Sequence, residues 1–311
     1  MRCLLIPILL TLSLTATAQD SSSDYTDIWQ VYAHELLRDS IPFKTVRGED
    51  QVLPFARFLA TRFLENGFAA DDVHIIPMAS EEIGSTSLVV RYPGTTDKPP
   101  VLFVGHMDVV PAGDEDWGRD PFQLSEEDGY FYGRGVVDDK FATTVLTTTF
   151  IRLKQSGFAP ERDLIIALTG DEETKQADIK TLLREHRELI DAEYAFIADT
   201  APGFLDAAGD PAAVFVQYAE KNYLTFEITA RSPGGHSSQP TPDNSIYKLA
   251  SAITAIENAS FPVQADAVNR EFFRAMGNVM QGEVGSAMRR FGDNPDDGDA
   301  VATLAAAPGV A

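Results

Sequence analysis

The sequence predicts an α/β fold: a mostly parallel sheet flanked by helices, followed by a smaller α+β unit. Three observations lead there. The apolar runs at 101–104, 164–168 and 194–198 read as strands buried on both faces of a sheet. Segments with helical spacing, 138–155 and 179–189, separate them and give a βα alternation. Near residue 213 the texture changes to adjacent strand-like runs punctuated by turns.

Taken in order, the chain opens with MRCLLIPILLTLSLTATAQD: one positive charge at Arg2, an apolar run over 4–14, then Ala16-Thr17-Ala18, a small-x-small pattern. This reads as a signal peptide over residues 1–18 and implies export, to a periplasmic or extracellular space. The apolar run is shorter than the roughly 20 residues a membrane anchor requires, and no later segment looks transmembrane. Cys3, the single cysteine, falls inside the signal. Any metal bound by the mature chain is therefore held by imidazole and carboxylate, a donor set that suits zinc in hydrolytic sites and also admits cobalt or manganese.

Residues 25–38 and 49–66 carry apolar side chains at helical spacing (Val52, Phe55, Leu59 and Phe63 in the second), and Gly67 is placed to end the second helix. Short β-rich runs follow at 73–76 and 87–92. A larger domain is expected over 19–218 and a second, smaller one over 219–311; around and after their boundary come strand-like runs at 213–219 and 223–230, a Pro233-Gly234-Gly235 turn and a helix over 244–258. The tail from Phe272 onward mixes a Met-rich helical stretch with an Asp-rich run and shows no obvious terminal element.

The 311 residues allow two domains, and 44% hydrophobic content is ordinary for a globular chain. The formal net charge is −22; losing Arg2 with the signal leaves 24 basic against 47 acidic residues, or −23. That balance excludes nucleic acid as a natural partner and fits a solvated acidic surface.

Chemistry-bearing residues gather where strands end. The run 101–104 leads into Gly105-His106-Met107-Asp108, so an imidazole and a carboxylate two residues apart sit at the C-terminal end of a buried strand, where open α/β sheets bind ligands. Asp108 can hold the far nitrogen of His106 while the near one meets a metal, although H-x-D alone also fits a structural pair. Gly133-Arg134-Gly135-Val136-Val137-Asp138-Asp139-Lys140 delivers two acids to a helix start, where simple capping is the alternative. Asp171-Glu172-Glu173 follows another strand; three adjacent acids call for exposure or a cation. Asp199 follows a third. Convergence of His106, Asp108, Asp138, Glu172, Glu173 and Asp199 on one sheet favours a metal site.

With these residues in hand, the chain resembles the family of zinc carboxypeptidases, dipeptidases, aminoacylases and succinyl-diaminopimelate desuccinylases, metallopeptidase clan MH. The likeness runs from about 45 to about 260 and rests on GHMDVVP, Trp117 with Pro121-Phe122, YGRGVVDDK, TGDEE and GGHSSQP. It implies a peptidase or N-acyl amide hydrolase with two zinc ions per subunit and a small peptide or N-acyl amino acid substrate. His106 and Asp199 would ligate one zinc and Glu173 the other. Asp138 would bridge the pair and Asp108 would orient His106. Glu172 would be the general base, residues 19–218 would be the N-terminal part of a catalytic, metal-binding domain, and 219–311 an incomplete lid and dimerisation domain from which His236 would stabilise the developing oxyanion, commonly in the partner subunit of a homodimer. On the residues alone, His236 also fits a polar turn.

Two departures stand out. Phe141 replaces a usual glycine and is expected to tighten helix packing. The family's chain returns from the lid to supply another histidine, whereas no histidine follows His236 here. The resemblance therefore implies an incomplete copy of a longer enzyme, poorly soluble and inactive when expressed alone. His34, His74 and His186 lie away from the motifs and receive no role.

Overall fold

The computed structural model describes residues 27–77, 85–113, 117–199, 203–205, 208–219, 224–236, 238–239, 241–259 and 262–307. The expected signal at 1–18 lies outside them. Contacts divide the chain into two units, Met1–Thr200 and Ala201–Ala311, where the sequence put the change at 218/219.

In the first unit, α1 (Ile28–Ser40) and α2 (Val52–Glu65) precede β1 (Val73–Pro77), β2 (Thr86–Tyr92) and β3 (Val101–His106). A small ribbon, β4 (Ser125–Glu127) with β5 (Tyr130–Tyr132), leads to α3 (Lys140–Gln155), β6 (Leu164–Thr169), α4 (Ala177–Glu185), α5 (Arg187–Ile190) and β7 (Tyr194–Ile197). The sheet order is β1-β2-β6-β3-β7, with β6, β3 and β7 mutually parallel and β2 antiparallel to both its neighbours. Gly67 closes α2 as expected: at φ +88 it turns the chain so that the Phe68 amide donates to the Phe63 carbonyl.

Period-2 alternation sorts the strands' side chains into two layers. Leu88, Val90, Ile166 and Leu168 pack against Leu36, Phe55, Leu59, Phe63, Phe150 and Ile151 from α1, α2 and α3. Val89, Leu102, Ile165 and Ala167 pack against Leu182 and Ile190 from α4 and α5. Helices thus cover both faces, the architecture the apolar runs predicted.

Several expectations need correction. Residues 179–189 form two helices, not one, because His186 leaves helical geometry at φ −134 and ψ 33. The run at 194–198 is an outer strand: Tyr194, Phe196 and Ile197 are 54–68% exposed, since β7 pairs on one side only. Phe141 does not tighten packing; the residue is 54% exposed.

In the second unit, β8 (Gly203–Leu205) pairs with β9 (Pro211–Val214), and α6 (Ser245–Glu257) is capped by Asn244, whose side chain accepts from the Ile246 amide. Residues 215–219 and 224–230, expected as strands, carry no regular structure; an extended run is a strand only where a neighbour takes its backbone hydrogen bonds. Three further helices, α7 (Ala267–Val279), α8 (Gly282–Asp293) and α9 (Gly298–Ala305), share a core of Ala287, Met288, Phe291, Ala300 and Leu304. The tail therefore does have a terminal element, started by the Asp297 carboxylate, which accepts from the Ala300 amide. No helix among the described residues is long and apolar enough to cross a membrane.

Candidate metal centre

Because β3, β6 and β7 run parallel, their C-terminal ends lie at one end of the sheet, and the residues that follow each strand meet there. His106 closes β3 and is 2% exposed. Its Nδ1 lies 3.0 Å from the Asp108 backbone carbonyl and 3.5 Å from the Asp108 carboxylate, so Nε2 is the atom left to face the other ligands. The Asp108 carboxylate also accepts from two backbone amides, Glu172 at 3.1 Å and Glu173 at 3.0 Å. One acid thereby ties the end of β3 to the turn after β6.

Asp138 reaches the same place from the Gly133–Lys140 turn. Its Oδ1 lies 2.9 Å from His106 Nε2, yet both atoms are buried and neither has a hydrogen-bond partner. Capping does not explain the acid pair either, because Asp139, which precedes α3, makes no side-chain cap bond. Its Oδ2 instead accepts from the His106 amide at 3.0 Å, while the Thr143 hydroxyl donates to the His106 carbonyl at 3.0 Å. The turn itself is anchored: the Arg134 amide donates to the Pro121 carbonyl at 2.6 Å, and its guanidinium lies 5.5 Å from the Trp117 ring centre.

After β6, Gly170 admits no side chain: a Cβ there would stand 2.4 Å from Val52 Cγ1 and 2.8 Å from the Thr86 carbonyl oxygen. Of the three acids that follow, Asp171 is buried and caps α4, accepting from the Ala177 amide at 2.7 Å and the Asp178 amide at 3.0 Å. Glu172 and Glu173 are half-buried, so simple exposure does not account for the triplet. Ligand atoms of His106, Asp138 and Glu173 lie within 4.8 Å of one another, and those of His106, Glu172 and Asp199 do likewise.

The electrostatics point the same way. Burial alone would lower the His106 pKa, but the hydrogen bond to Asp108 and the charges of Asp139, Asp108 and Asp138 outweigh it and push it up to about 10. Burial chiefly pushes Asp139 up to about 8. Burial, then the nearby Asp138 charge, raises Glu173. So much negative charge around one imidazole is what a cation relieves. The unpartnered Nε2 and Oδ1, facing each other at 2.9 Å, are donors suited to a metal ion, and the nitrogen and oxygen set fits zinc.

His236 belongs to the second unit; it is exposed, and its Nδ1 accepts from the Ser238 amide at 3.2 Å and lies 2.7 Å from the Ser238 hydroxyl. Sequence reading passed over Asp139, Thr143 and Asp178. The second acid of the Asp138-Asp139 pair was the available signal for the first. Nothing marked Asp178, a buried acid on α4 that accepts from the Ser85 and Ser87 hydroxyls and the Gly170 amide. An open cleft of about 580 Å³ in the same unit has walls that include Lys44, Pro111, Trp117, Arg119 and Phe122, and none of the candidate ligands lines it.

Fold and cluster together define an α/β protein with a candidate metal site of imidazole and carboxylate groups at its strand ends. Residues 102–298 match the model for peptidase family M20/M25/M40, and the chain belongs to that family. It is 34% identical over 167 residues to the N-fatty-acyl-amino acid synthase/hydrolase PM20D1 of Xenopus tropicalis, covering 52% of this chain and 32% of that protein. It is 27% identical over 229 residues to the succinyl-diaminopimelate desuccinylase of Wolbachia pipientis wMel, covering 73% and 54%. Human carnosine dipeptidase 1 is 19% identical over 56% of this chain and 40% of its own, with a TM-score of 0.49. The chain spans about a third to a half of the length of the curated relatives it matches.

Proposed function

We propose that this chain carries the metal centre of an exported, zinc-dependent hydrolase of peptide or N-acyl amide bonds. The observation that carries the reading is the buried, unpartnered pair of His106 Nε2 and Asp138 Oδ1, ringed by the carboxylates of Glu173, Glu172 and Asp199. Carboxypeptidase or dipeptidase action is one form of the reading. Deacylation or desuccinylation of amino acids is the other, and the names of the relatives favour it.

In this reading His106, Asp138, Glu173 and Asp199 would hold two zinc ions; cobalt or manganese would suit the same donors. Bound zinc supplies Lewis-acid polarisation of the scissile carbonyl and acidifies a water. Glu172, half-buried next to the ligands, accepts the proton of the attacking water on its carboxylate and passes it to the leaving amine. Asp108 fixes the His106 ring and the backbone of both glutamates. His236 contributes oxyanion stabilisation, and the second unit mediates a homodimer; nucleic acid and membrane have no part in the reading.

The test is zinc content and turnover of the full chain and its Glu172→Gln variant on N-acyl amino acids and dipeptides. The variant should lose roughly 10²–10⁴-fold in kcat, the span of a lost general base, and keep its zinc. Retained turnover, or loss of zinc with the base, would sink the assignment of Glu172.

A further inference from the structure

Gln176 stands where α4 should be capped, and it caps nothing. It occupies the N-cap position in the left-handed region, φ 51 and ψ 36, and its side chain makes no cap hydrogen bond. A residue with a Cβ pays strain there that glycine does not. The capping task has passed to Asp171, whose two carboxylate oxygens take the Ala177 and Asp178 amides. The backbone at Gln176 is held in place by its own amide, which donates to the Asp171 carbonyl at 2.9 Å. With the cap supplied from elsewhere, the Gln176 carboxamide is free to turn back one helical turn, and its Nε2 donates to Glu172 Oε1 at 3.0 Å.

We propose that Gln176 is a positioning residue for Glu172, its carboxamide holding one carboxylate oxygen so that the other faces the reacting water. The inference rests on Glu172 being the base. The Glu172 backbone is already fixed through Asp108, but its side chain has torsions of its own, and among the described residues Gln176 supplies the only hydrogen bond to its carboxylate. A carboxamide suits the task because it donates without carrying charge: a lysine would form an ion pair with the base, and a carboxylate would repel it.

Replacing Gln176 with glycine separates this role from a structural one. Glycine accepts the left-handed backbone more readily than glutamine, so a merely structural residue predicts a variant at least as stable and equally active. A positioning residue predicts higher Tm together with kcat lowered roughly 10- to 100-fold, the cost of a misplaced catalytic group, while KM and zinc affinity by calorimetry stay unchanged. Gln176→Ala should show the same kinetic loss without the gain in Tm. A readout independent of turnover accompanies these. The side-chain amide resonances of Gln176, assigned by their loss in the glycine variant, should shift in the Glu172→Ala variant of the zinc-loaded full chain.

Wild-type kcat in Gln176→Gly, alongside a dead Glu172→Gln, would overturn the proposal while leaving the base assignment standing. An active Glu172→Gln would instead remove the reading beneath it. Weakened zinc binding in Gln176→Gly would also overturn it, by making Glu172 a ligand. In a chain without turnover the amide resonances decide alone, and their failure to move counts against the contact.

Discussion

Lys140 has no exposed surface, yet its ammonium donates to the carbonyls of Ser40 at 2.9 Å and Phe43 at 2.6 Å and sits 5.3 Å from the Phe55 ring centre. Burial pushes its pKa down to about 7. Lys140→Met keeps the aliphatic volume but strands those carbonyls, at a cost of about 1–3 kcal/mol for each group left unpaired, and urea denaturation should show the loss. Asp178 poses the opposite problem, an acid whose pKa burial chiefly raises to about 6, with the Asp171 charge adding to it and the Ser85, Ser87 and Gly170 hydrogen bonds opposing. Its folded pKa exceeds the unfolded value near 3.9, so its contribution to stability is greatest below about pH 4 and is lost as pH rises through 6. Asp178→Asn removes that dependence. The Tm difference, wild type minus variant, should shrink from pH 4 to pH 7; a flat difference would refute the assignment. At this scale the sequence revealed the residues that follow strand ends, because the motifs concentrate acids there. It did not reveal Asp178, whose neighbours in space, Ser85 and Ser87, are more than 90 positions away.

Elements were legible where one physical signal dominated. The strands at 73–77, 86–92, 101–106 and 164–169 lie within two residues of the expected runs at 73–76, 87–92, 101–104 and 164–168, because an apolar run bounded by turns has few other uses. α2 likewise follows its apolar spacing and its glycine stop. Signals failed where tertiary partners decide. The break at His186 interrupts a continuous apolar period whose two halves, Leu182 and Ile190, still pack in one core, and β7 looked buried because its composition matches that of inner strands. Helix α4 shows how closely the site depends on one cap. Asp171→Ala leaves the Ala177 and Asp178 amides unpaired and should cost about 0.5–2 kcal/mol, read as a lower Tm. It should also slow turnover, because the same turn carries both glutamates.

For the whole molecule, the two units have separate cores, and every proposed zinc ligand lies in the first. Chelation should therefore lower the melting temperature of the first unit and leave that of the helical core around Met288 and Phe291 in place, as two calorimetric transitions. Zinc at a hundredfold excess over its dissociation constant stabilises the folded form by about 2.7 kcal/mol, enough to resolve the shift. A single transition moving as one body would contradict this. Asp108 has a further consequence, for how substitutions combine. Its two carboxylate oxygens each hold one glutamate amide, so losing the carboxylate loosens in one step what Glu172→Ala and Glu173→Ala remove singly. Losses at these positions should then be strongly sub-additive in double-mutant cycles: after Asp108 is gone, a second substitution has little left to disturb, and a lineage that loses it can accumulate changes at either glutamate almost unopposed.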